Sequence, residues 1–565
     1  MKRINKINIT SSKQKNLVFI LALFAGIVFI ISSCQKEFLD ITPKDSFTEA
    51  AVFNDPALLD AFVNFAYRRT PHGFQEHGGI LYLATMGDEA HSKGNVATAG
   101  QIIAGNQRPD FLHALDVWTG GGQSMNSRNR KSYWDPIKQA NEYLYNIKDS
   151  EIDPDILERM TGEMKALRAY AYFRLISHYG GVPLATEPFS LDDWRVPRNS
   201  YDEVMDFVLK ELDEAIGMLP LSYSGRDVGK LTKGAAMAIK ARALLYYASP
   251  LNNPANDLSR WQAAADAAKA VIDLGIYELY PDYQAIFLEK TGWHSEIIWA
   301  RPFHHITEPE VYLERRIFPN SWLGHGHTPP THNLADAYEM ISGLLPSEDP
   351  TYDPQNPYVN RDPRFYATIL YDGAPFKERT LETFIGGLDS FESHISSWNA
   401  SETGYNLRKF IDEDTDDIGS GNTNAPWIYI RYAEVLLNYA EAMYNLGNED
   451  VAREYVNMIR SRPGVEMPLV TESGEDLWQR IVHERRIELA YEEHRFFDVR
   501  RWKIATEVFS IDHTRMRITK DPDTGVKTYE VLNHLPAQFH EHNYLSPIPL
   551  SEIERNGLLE QNPGY

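Results

Sequence analysis

The single cysteine of the 565-residue chain, Cys34, has the most distinctive chemical setting in the sequence. It follows an uninterrupted apolar run, residues 17–31, and that run follows a basic head without acidic residues. The run is short for a membrane-spanning helix, which needs about 20 apolar residues, and a basic head before such a run is typical of an export signal. The layout therefore predicts that residues 1–33 are a signal peptide.

The tetrapeptide that ends in this cysteine, Ile31-Ser32-Ser33-Cys34, resembles a bacterial lipobox. In a lipobox the cysteine sulfur is diacylated, and the cysteine becomes the new N-terminus after cleavage. Two or three acyl chains anchor a protein stably, because each buried methylene contributes about 0.8 kcal/mol. We predict that Cys34 is lipidated and that residues 34–54 form a tether. The alternative is an uncleaved signal anchor with a free thiol.

Motifs for catalysis or metal binding are incomplete in this sequence. His483-Glu484 starts the zinc pattern HExxH, but Ile487 stands where the second imidazole is required. The acidic run 412–417 lacks the glycine and the glutamate spacing of a calcium-binding EF-hand, so a solvated loop is the preferred interpretation. No nucleophile elbow, phosphate loop or dinucleotide fingerprint occurs. We predict no catalytic residues, no metal site and no cofactor.

The overall charge restricts the class of partner. The formal net charge is −23, and it becomes more negative when the basic leader is removed. Nucleic-acid binding requires a basic stripe that neutralises phosphates, so we expect no nucleic-acid partner. Since Cys34 is the only cysteine, its lipidation leaves no thiol for disulfides or nucleophilic catalysis.

The elements that must position any site are mainly helices. Apolar residues at helical spacing predict helices over 55–70, 134–147, 161–179, 201–219, 233–248, 261–274, 426–446 and 449–460. Alanines at the crossing points and Gly or Pro between successive helices resemble tetratricopeptide pairs. Residues 71–132 and 277–424 are predicted to be long loops, the second containing a short strand-like piece at 296–300. Loops of that length on a helical scaffold usually carry function.

Several strings in the second half of the chain resemble, in order, those of the SusD/RagB family of outer-membrane nutrient-binding lipoproteins. The first string, PTHNLADAYEM at 330–340, has His332 where the family commonly has glutamine. The others occur at 360–365, 403–410, 431–442, 484–489, 495–502, 547–549 and 561–565. Together with the lipobox and the segment from Trp134-Asp135 to Asn141, they extend over nearly the whole chain.

This resemblance implies an all-α, mainly helical fold with tetratricopeptide-like pairs and a loop-rich ligand-binding face. It implies a single body over 55–565, with an N-terminal part at 55–300 and a second part at 301–565. It also implies a lipid-anchored, non-enzymatic protein of the outer membrane, facing the cell exterior. The expected task is to capture oligosaccharides and deliver them to a SusC-like TonB-dependent transporter.

Two alternatives remain open for the function. The first keeps the family and changes the cargo to peptide, as in RagB-like uptake lipoproteins. The second is a lipid-anchored glycosidase or lyase, since paired carboxylates for glycoside hydrolysis could occur among 79 acidic residues.

A sugar-binding site needs flat aromatic faces for the C–H side of pyranose rings and a few polar groups for hydroxyls. Such rings are expected on loops outside the strings. The predicted ligand-binding residues are Trp118, Trp322, Tyr312, Trp293 and Phe303, with Asp88 and His91 as polar neighbours, together with His304, His305 and His325. Trp118 and Trp322 are preferred because glycine-containing loops adjoin them. Trp299 is assigned to a strand core, and Trp134, Trp427, Trp478 and Trp502 are assigned to helix packing.

The charged residues within the strings have a structural interpretation. They lie on otherwise apolar helices, where a charge is tolerated only when it is paired. We predict a buried Arg/Glu network formed by Arg431, Glu434, Glu441, Arg485, Arg486, Glu488, Asp498 and Arg500.

Overall fold

The computed structural model describes residues 49–74, 81–92, 96–111, 116–120, 131–190, 194–303, 313–392, 399–415 and 424–565. The predicted signal peptide, Cys34, and the candidates Tyr312, His304 and His305 lie outside these ranges. The chain divides into two units, Met1–Leu59 and Asp60–Tyr565. Among the described residues, no helix has both the length and the apolar character needed to cross a bilayer.

The described residues are mainly helical, as predicted. The α-helices are α1 (Glu49–Asn54), α2 (Pro56–Arg69), α3 (Val96–Ile103), α4 (Trp134–Asn146), α5 (Pro154–Tyr179), α6 (Tyr201–Met218), α7 (Lys233–Ala248), α8 (Leu258–Ile272), α9 (Leu313–Ile317), α10 (His332–Ala337), α11 (Pro363–Thr368), α12 (Tyr432–Asn445), α13 (Glu449–Arg460), α14 (Gly474–Glu488), α15 (Arg495–Arg501), α16 (Ala505–Val508) and α17 (Leu550–Arg555). Short 3₁₀ turns occupy Tyr82–Met86, Ile147–Asp149, Gly225–Asp227, Ala285–Phe287, Glu289–Thr291, Asn320–Trp322 and Glu541–Tyr544.

Helices α4 to α8 pack in sequence, each against the next, and α12, α13 and α14 extend the stack from α8. The alanines of α7 explain the close packing: Ala235, Ala236 and Ala241 are fully buried. The side chain of Thr232 begins α7 by accepting a hydrogen bond from the Ala235 amide at 3.1 Å. The tetratricopeptide-like stacking predicted from the sequence is therefore present.

The longest helix, α5, starts seven residues before the predicted boundary. Asp153 caps it by accepting a hydrogen bond from the Asp155 amide at 2.9 Å, and Pro154 occupies the first turn, where no donor is needed. The helix is buried over most of its length, including the charged residues Glu163, Arg168 and Arg174. Apolar residues on nearly all faces of a helix indicate that it is buried between neighbouring helices, and α5 is buried in this way.

The sheets in the described residues are small and two-stranded. The strands are β1 (Ile297–Arg301), β2 (Ile369–Leu370), β3 (Pro375–Phe376), β4 (Arg379–Thr380), β5 (Asn406–Leu407), β6 (Trp427–Arg431), β7 (His513–Lys520) and β8 (Lys527–Leu535). The pairs are β1–β6, β2–β5, β3–β4 and β7–β8, all antiparallel.

The predicted helix over 426–446 is wrong in its first turn and a half. Residues Trp427–Arg431 form strand β6, which pairs antiparallel with β1, and the helix begins only at Tyr432. Isoleucine and tyrosine alternate in this segment and favour a strand when a partner strand is available. Trp427, assigned to helix packing from the sequence, therefore lies in a sheet, whereas Trp299 lies in β1 as predicted.

Two further elements were not predicted. Helix α3 lies within the segment 71–132, which was expected to be loop, and the β7–β8 hairpin had no counterpart in the sequence interpretation. The hairpin turn is closed by Asp521, whose carboxylate accepts a hydrogen bond from the Thr524 amide at 2.7 Å.

A cluster of buried ion pairs joins helices α11 and α14 to strand β6 and to the residue that precedes β1. We call it the buried charge network; its members are Glu296, Arg364, Arg431, Arg462, Glu484, Glu488 and Glu492. Arg431 is at its centre, and its guanidinium lies 2.7 Å from a carboxylate oxygen of each of Glu296, Glu488 and Glu492. Arg462 is 2.7 Å and Arg364 is 3.0 Å from Glu488.

The predicted pairing of charges is confirmed for most of the residues in the strings. The observed partners are Arg431 with Glu488, Glu434 with Arg242, Glu441 with Arg501, Arg485 with Asp498, and Arg486 with Asp88. Arg500 differs. It donates a hydrogen bond to the Phe496 carbonyl at 2.8 Å, and its guanidinium stacks 3.6 Å from the Phe496 ring. Burial lowers the pKa of Arg500 to about 9.

Candidate ligand-binding site

A cavity of about 550 Å³ lies between helix α4, the loop that precedes it, the segment that follows α5, and helix α17. Four aromatic side chains line it: Trp118, Trp134, Phe189 and Trp194. Its polar lining includes Asp135, Lys138, Asn141, Glu142, Glu187, Glu552, Arg555 and Asn556. We call this cavity the aromatic cleft. Its volume falls in the range of small-molecule sites, which is about 300–1,000 Å³.

The four rings differ in exposure. Trp118 is 6% exposed, and its ring centroid lies 5.3 Å from those of both Trp134 and Tyr179, edge to face. Phe189 is 51% exposed, and Trp194 is partly exposed with the Arg195 guanidinium 5.0 Å from its ring. Trp118 therefore belongs to the fixed wall of the cleft, whereas Phe189 and Trp194 form its accessible rim.

Hydrogen bonds fix the segment that carries the rim. The side-chain amide of Asn141 on α4 donates to the Ala185 carbonyl at 3.0 Å. Arg168 on α5 donates to the Asn141 side-chain oxygen at 2.7 Å and to the Thr186 carbonyl at 3.2 Å. The Tyr172 hydroxyl donates to the Ala185 carbonyl at 2.7 Å. Two stacked helices thus hold residues 185–187 in place, which limits the entropy lost when a ligand binds.

The charges around the cleft are largely paired with one another. Lys138 lies 3.7 Å from Glu142, and Arg555 lies 3.0 Å from Glu552. The Asp135 carboxylate accepts hydrogen bonds from the Arg69 side chain and from the Ser132 amide, both at 3.1 Å. Such a surface presents aromatic faces and hydrogen-bonding groups without a strong field of one sign. It is suited to an uncharged polar ligand that can stack on rings.

The other predicted aromatic residues are not brought together with Trp118. Trp322 is 8% exposed; its indole nitrogen donates to Glu378 at 3.0 Å, and Arg379 covers its ring at 3.9 Å. Phe303 is 6% exposed and packs on His72 and Phe74. Trp293 is 43% exposed and is not among the residues that line the aromatic cleft.

The predicted polar residues lie in a different region. Asp88 is buried, and its carboxylate is 3.0 Å from Arg495 and 2.8 Å from Arg486. Although burial opposes ionisation, these two guanidinium groups hold the pKa of Asp88 well below its usual range. His91 is buried near Glu402 and His534, and His325 adjoins His327.

Sequence reasoning missed half of the cleft. Phe189 and Trp194 were not among the candidates, and Trp134 was assigned to helix packing although it also lines the cavity. A usable signal was present: both missed rings lie between prolines in residues 183–197, a segment that links two long helices. The contribution of α17 had no sequence signal, because Arg555 and Asn556 reach the cleft only through the tertiary fold.

A stack of helix pairs that carries a ring-lined cleft defines a ligand-binding protein of the helical-repeat class. Residues 295–565 match the model of the SusD family, and residues 37–245 match a family described as starch-binding and associating with the outer membrane. The chain belongs to the SusD family. The expectation of a binding protein without enzymatic activity agrees with this membership.

Solved structures and a curated relative agree with the family assignment. A SusD-like protein from Bacteroides fragilis NCTC 9343 is 30% identical, with a TM-score of 0.76 over 91% of this chain and 98% of its own. A SusD-like carbohydrate-binding protein from the same organism is 25% identical, with a TM-score of 0.76 over 90% and 100%. The SusD-like protein P25 of Formosa agariphila is 25% identical over 77% of this chain and 79% of its own.

Proposed function

We propose that this protein captures oligosaccharides at the cell surface and that the aromatic cleft is its binding site. The observation that carries the proposal is the placement of Phe189 and Trp194, two accessible rings at the mouth of a rigid cavity. Pyranose rings stack their C–H faces on such side chains, while Asn141, Glu187 and Asn556 provide partners for hydroxyl groups. The family description and the carbohydrate-binding relative support a glycan ligand.

We further propose that the protein acts from the outer membrane. Cys34 would carry the acyl chains, and the body would face the cell exterior and pass its cargo to a SusC-like TonB-dependent transporter. The lipobox-like sequence and the family description support this arrangement. Binding by stacking and single hydrogen bonds is individually weak, so a transporter that receives the ligand would provide the retention.

The binding site is tested with Trp194→Ala and Phe189→Ala. Calorimetric titration with a panel of α- and β-linked gluco-oligosaccharides should show that either change weakens binding about tenfold, because each removes one stacking surface. Trp293→Ala is the matched control, since it removes an exposed tryptophan outside the cleft. Equal affinity of wild type and both cleft variants for every bound glycan, or a loss confined to Trp293→Ala, would contradict the site.

The cargo is tested in the same titrations with oligopeptides of mixed sequence. A peptide-binding protein would use an extended groove with backbone donors rather than exposed rings. We expect heat of binding from at least one oligosaccharide and none from the peptides. Heat of binding from peptides and none from oligosaccharides would favour the peptide-binding alternative. Release of products from a polysaccharide would favour the glycosidase or lyase alternative.

The anchor and the partner are tested in cells. Mass spectrometry of the mature N-terminal peptide should give the mass of an acylated Cys34, and Cys34→Ala should leave the protein outside the membrane fraction. A TonB-dependent transporter should copurify with the wild-type protein from detergent-solubilised outer membranes. Recovery of Cys34→Ala in the membrane fraction would contradict the lipid anchor.

A further inference from the structure

Two histidines and a glutamate from three distant segments meet at one point outside the aromatic cleft. His91 follows the bridge between Ala90 and Pro330, Glu402 lies in the segment 399–415, and His534 lies on β8. His91 Nε2 is 3.3 Å from Glu402 Oε2, and the rings of His91 and His534 are 4.3 Å apart. One potential ligand atom from each residue lies within 4.8 Å of the other two.

The imidazole of His91 is buried without hydrogen bonds to the described residues, and the imidazole of His534 is half-buried. His91 is 1% exposed, and among the described residues neither of its ring nitrogens has a hydrogen-bond partner. The same holds for Nε2 of His534. Buried polar atoms are nearly always satisfied, because an unmade hydrogen bond leaves the full cost of desolvation. The unpartnered nitrogens of His91 and His534 are therefore free to bind a ligand between them.

We propose that His91, Glu402 and His534 bind a divalent transition-metal ion, with zinc favoured. Tetrahedral zinc with bonds of about 2.0–2.1 Å places its ligand atoms about 3.3–3.4 Å apart. The 3.3 Å contact between His91 and Glu402 already has that separation, and the ligand atom of His534 lies within 4.8 Å of both. Two imidazoles and one carboxylate are a zinc-type ligand set, whereas calcium and magnesium prefer oxygen ligands.

The surroundings of the cluster favour a strongly imidazole-binding ion. Glu402 is the one carboxylate among the three proposed ligands. The Arg515 guanidinium lies close enough to His534 to act on it electrostatically, and its positive charge opposes the binding of a metal cation. A metal held mainly by charge would be excluded here, but one held by directed bonds to nitrogen is not. Three protein ligands leave a fourth position for water or for a donor atom of a bound molecule.

The bound ion would link three segments that the helical stack does not hold directly. The residue before His91 pairs with Pro330, Glu402 belongs to the long region between β1 and β6, and His534 belongs to the terminal hairpin. Because the ion binds the folded chain and not the separated segments, it should stabilise the protein by mass action. This proposal does not depend on the identity of the ligand in the aromatic cleft.

Zinc binding tests the proposal on the full-length, tag-free lipoprotein in detergent. Equilibrium dialysis against micromolar ZnCl₂ followed by elemental analysis should give one zinc per chain, and thermal unfolding should shift to higher temperature with zinc. His534→Gln and Glu402→Gln should bind at least tenfold more weakly and lose the thermal shift. His542→Gln, which changes a histidine outside the cluster, is the control and should bind zinc as the wild type does.

Two results would overturn the proposal. One is a wild-type protein that retains no zinc under these conditions. The other is a folded His534→Gln or Glu402→Gln variant that binds zinc as tightly as the wild type. Glu402 is 25% exposed in its side chain, so Glu402→Gln is expected to fold even if His534→Gln does not, and either folded variant decides the question.

Discussion

The buried charge network and the aromatic cleft are both built on the same stack of helices, but they differ in how far their side chains are exposed to solvent. In the network, Arg431 is 1% exposed and each of its carboxylate partners is also buried, so these charges are paired with one another inside the protein. In the cleft, rings such as Phe189 remain half exposed, and the charges pair along the surface. The network holds the fold together, whereas the cleft leaves its groups available to a ligand.

This contrast explains what a resemblance between sequences can show. Arg364, Arg431, Glu484 and Glu488 of the network all lie within the strings that resemble the SusD/RagB family. The accessible rim of the cleft, Phe189 and Trp194, lies outside those strings, whereas part of its wall belongs to the resembling segment 134–141. The strings therefore identify the scaffold, and the ligand must be found from the regions that they omit.

The largest expected effect comes from Arg431→Met, which removes the centre of the network. Three buried carboxylates lose a partner, so we expect the free energy of unfolding to fall by about 3–5 kcal/mol. Oligosaccharide affinity of the folded fraction should not change. Urea denaturation and calorimetry measure the two quantities, and Arg453→Met is the control because Arg453 pairs with surface carboxylates. A stability loss no larger than that of the control would contradict the central role of Arg431.

A smaller effect is expected on acidification. Burial opposes ionisation of Glu484, Glu488 and Glu492, but the neighbouring cations hold the pKa of each carboxyl below its usual range. Since these groups bind protons less readily in the folded state, their stabilisation is complete above the ordinary glutamate pKa of about 4.3 and declines as pH falls below it.

Urea unfolding at pH 7, 5, 4 and 3 measures this dependence. The wild type should lose stability progressively as the pH falls from about 4.3 to 3, and Arg431→Met should lose less over the same interval because its network is already broken. Parallel pH profiles for the two proteins would show that the acid sensitivity resides elsewhere.

The smallest effect is expected from Lys138→Ala at the cleft. The Lys138 side chain is 72% exposed and forms a surface pair with Glu142. Such pairs contribute about 0–1 kcal/mol, so the unfolding free energy should change by no more than that. Binding of a neutral oligosaccharide should be insensitive to salt in both wild type and variant. A strong salt dependence that Lys138→Ala abolishes would indicate an anionic ligand and would weaken the contrast between the two regions.

The helical stack was largely predictable, because helix periodicity and capping are local. The predicted boundaries of 233–248 and 449–460 coincide with α7 and α13. The sheet formed by β1 and β6 was only half predicted, since pairing between residues 297 and 431 is a non-local property. The β7–β8 hairpin was missed for a related reason: its alternation of apolar and polar residues is weak, and β8 is mostly exposed or half buried.

The candidate site was less predictable than the fold. Trp118 was chosen because a glycine-containing sequence adjoins it, and it does line the cleft, but as a buried wall rather than an exposed platform. Trp322 was chosen on the same grounds and is covered by Arg379. A sequence identifies aromatic residues on loops, but their exposure depends on which cations and rings the fold places against them.

The pairing of β1 with β6 has a consequence for how this molecule can be altered. The chain leaves the helical stack at Arg301 and returns at Trp427, and these two residues are direct partners in the sheet. Residues 302–426 therefore leave the helical stack and return to it at the same place. Changing the length of this stretch costs little closure entropy, about 0.6 kcal/mol for each doubling. Arg364 lies within this stretch and pairs with Glu484 and Glu488 on α14, so residues 302–426 can be exchanged between relatives only when those carboxylates are kept.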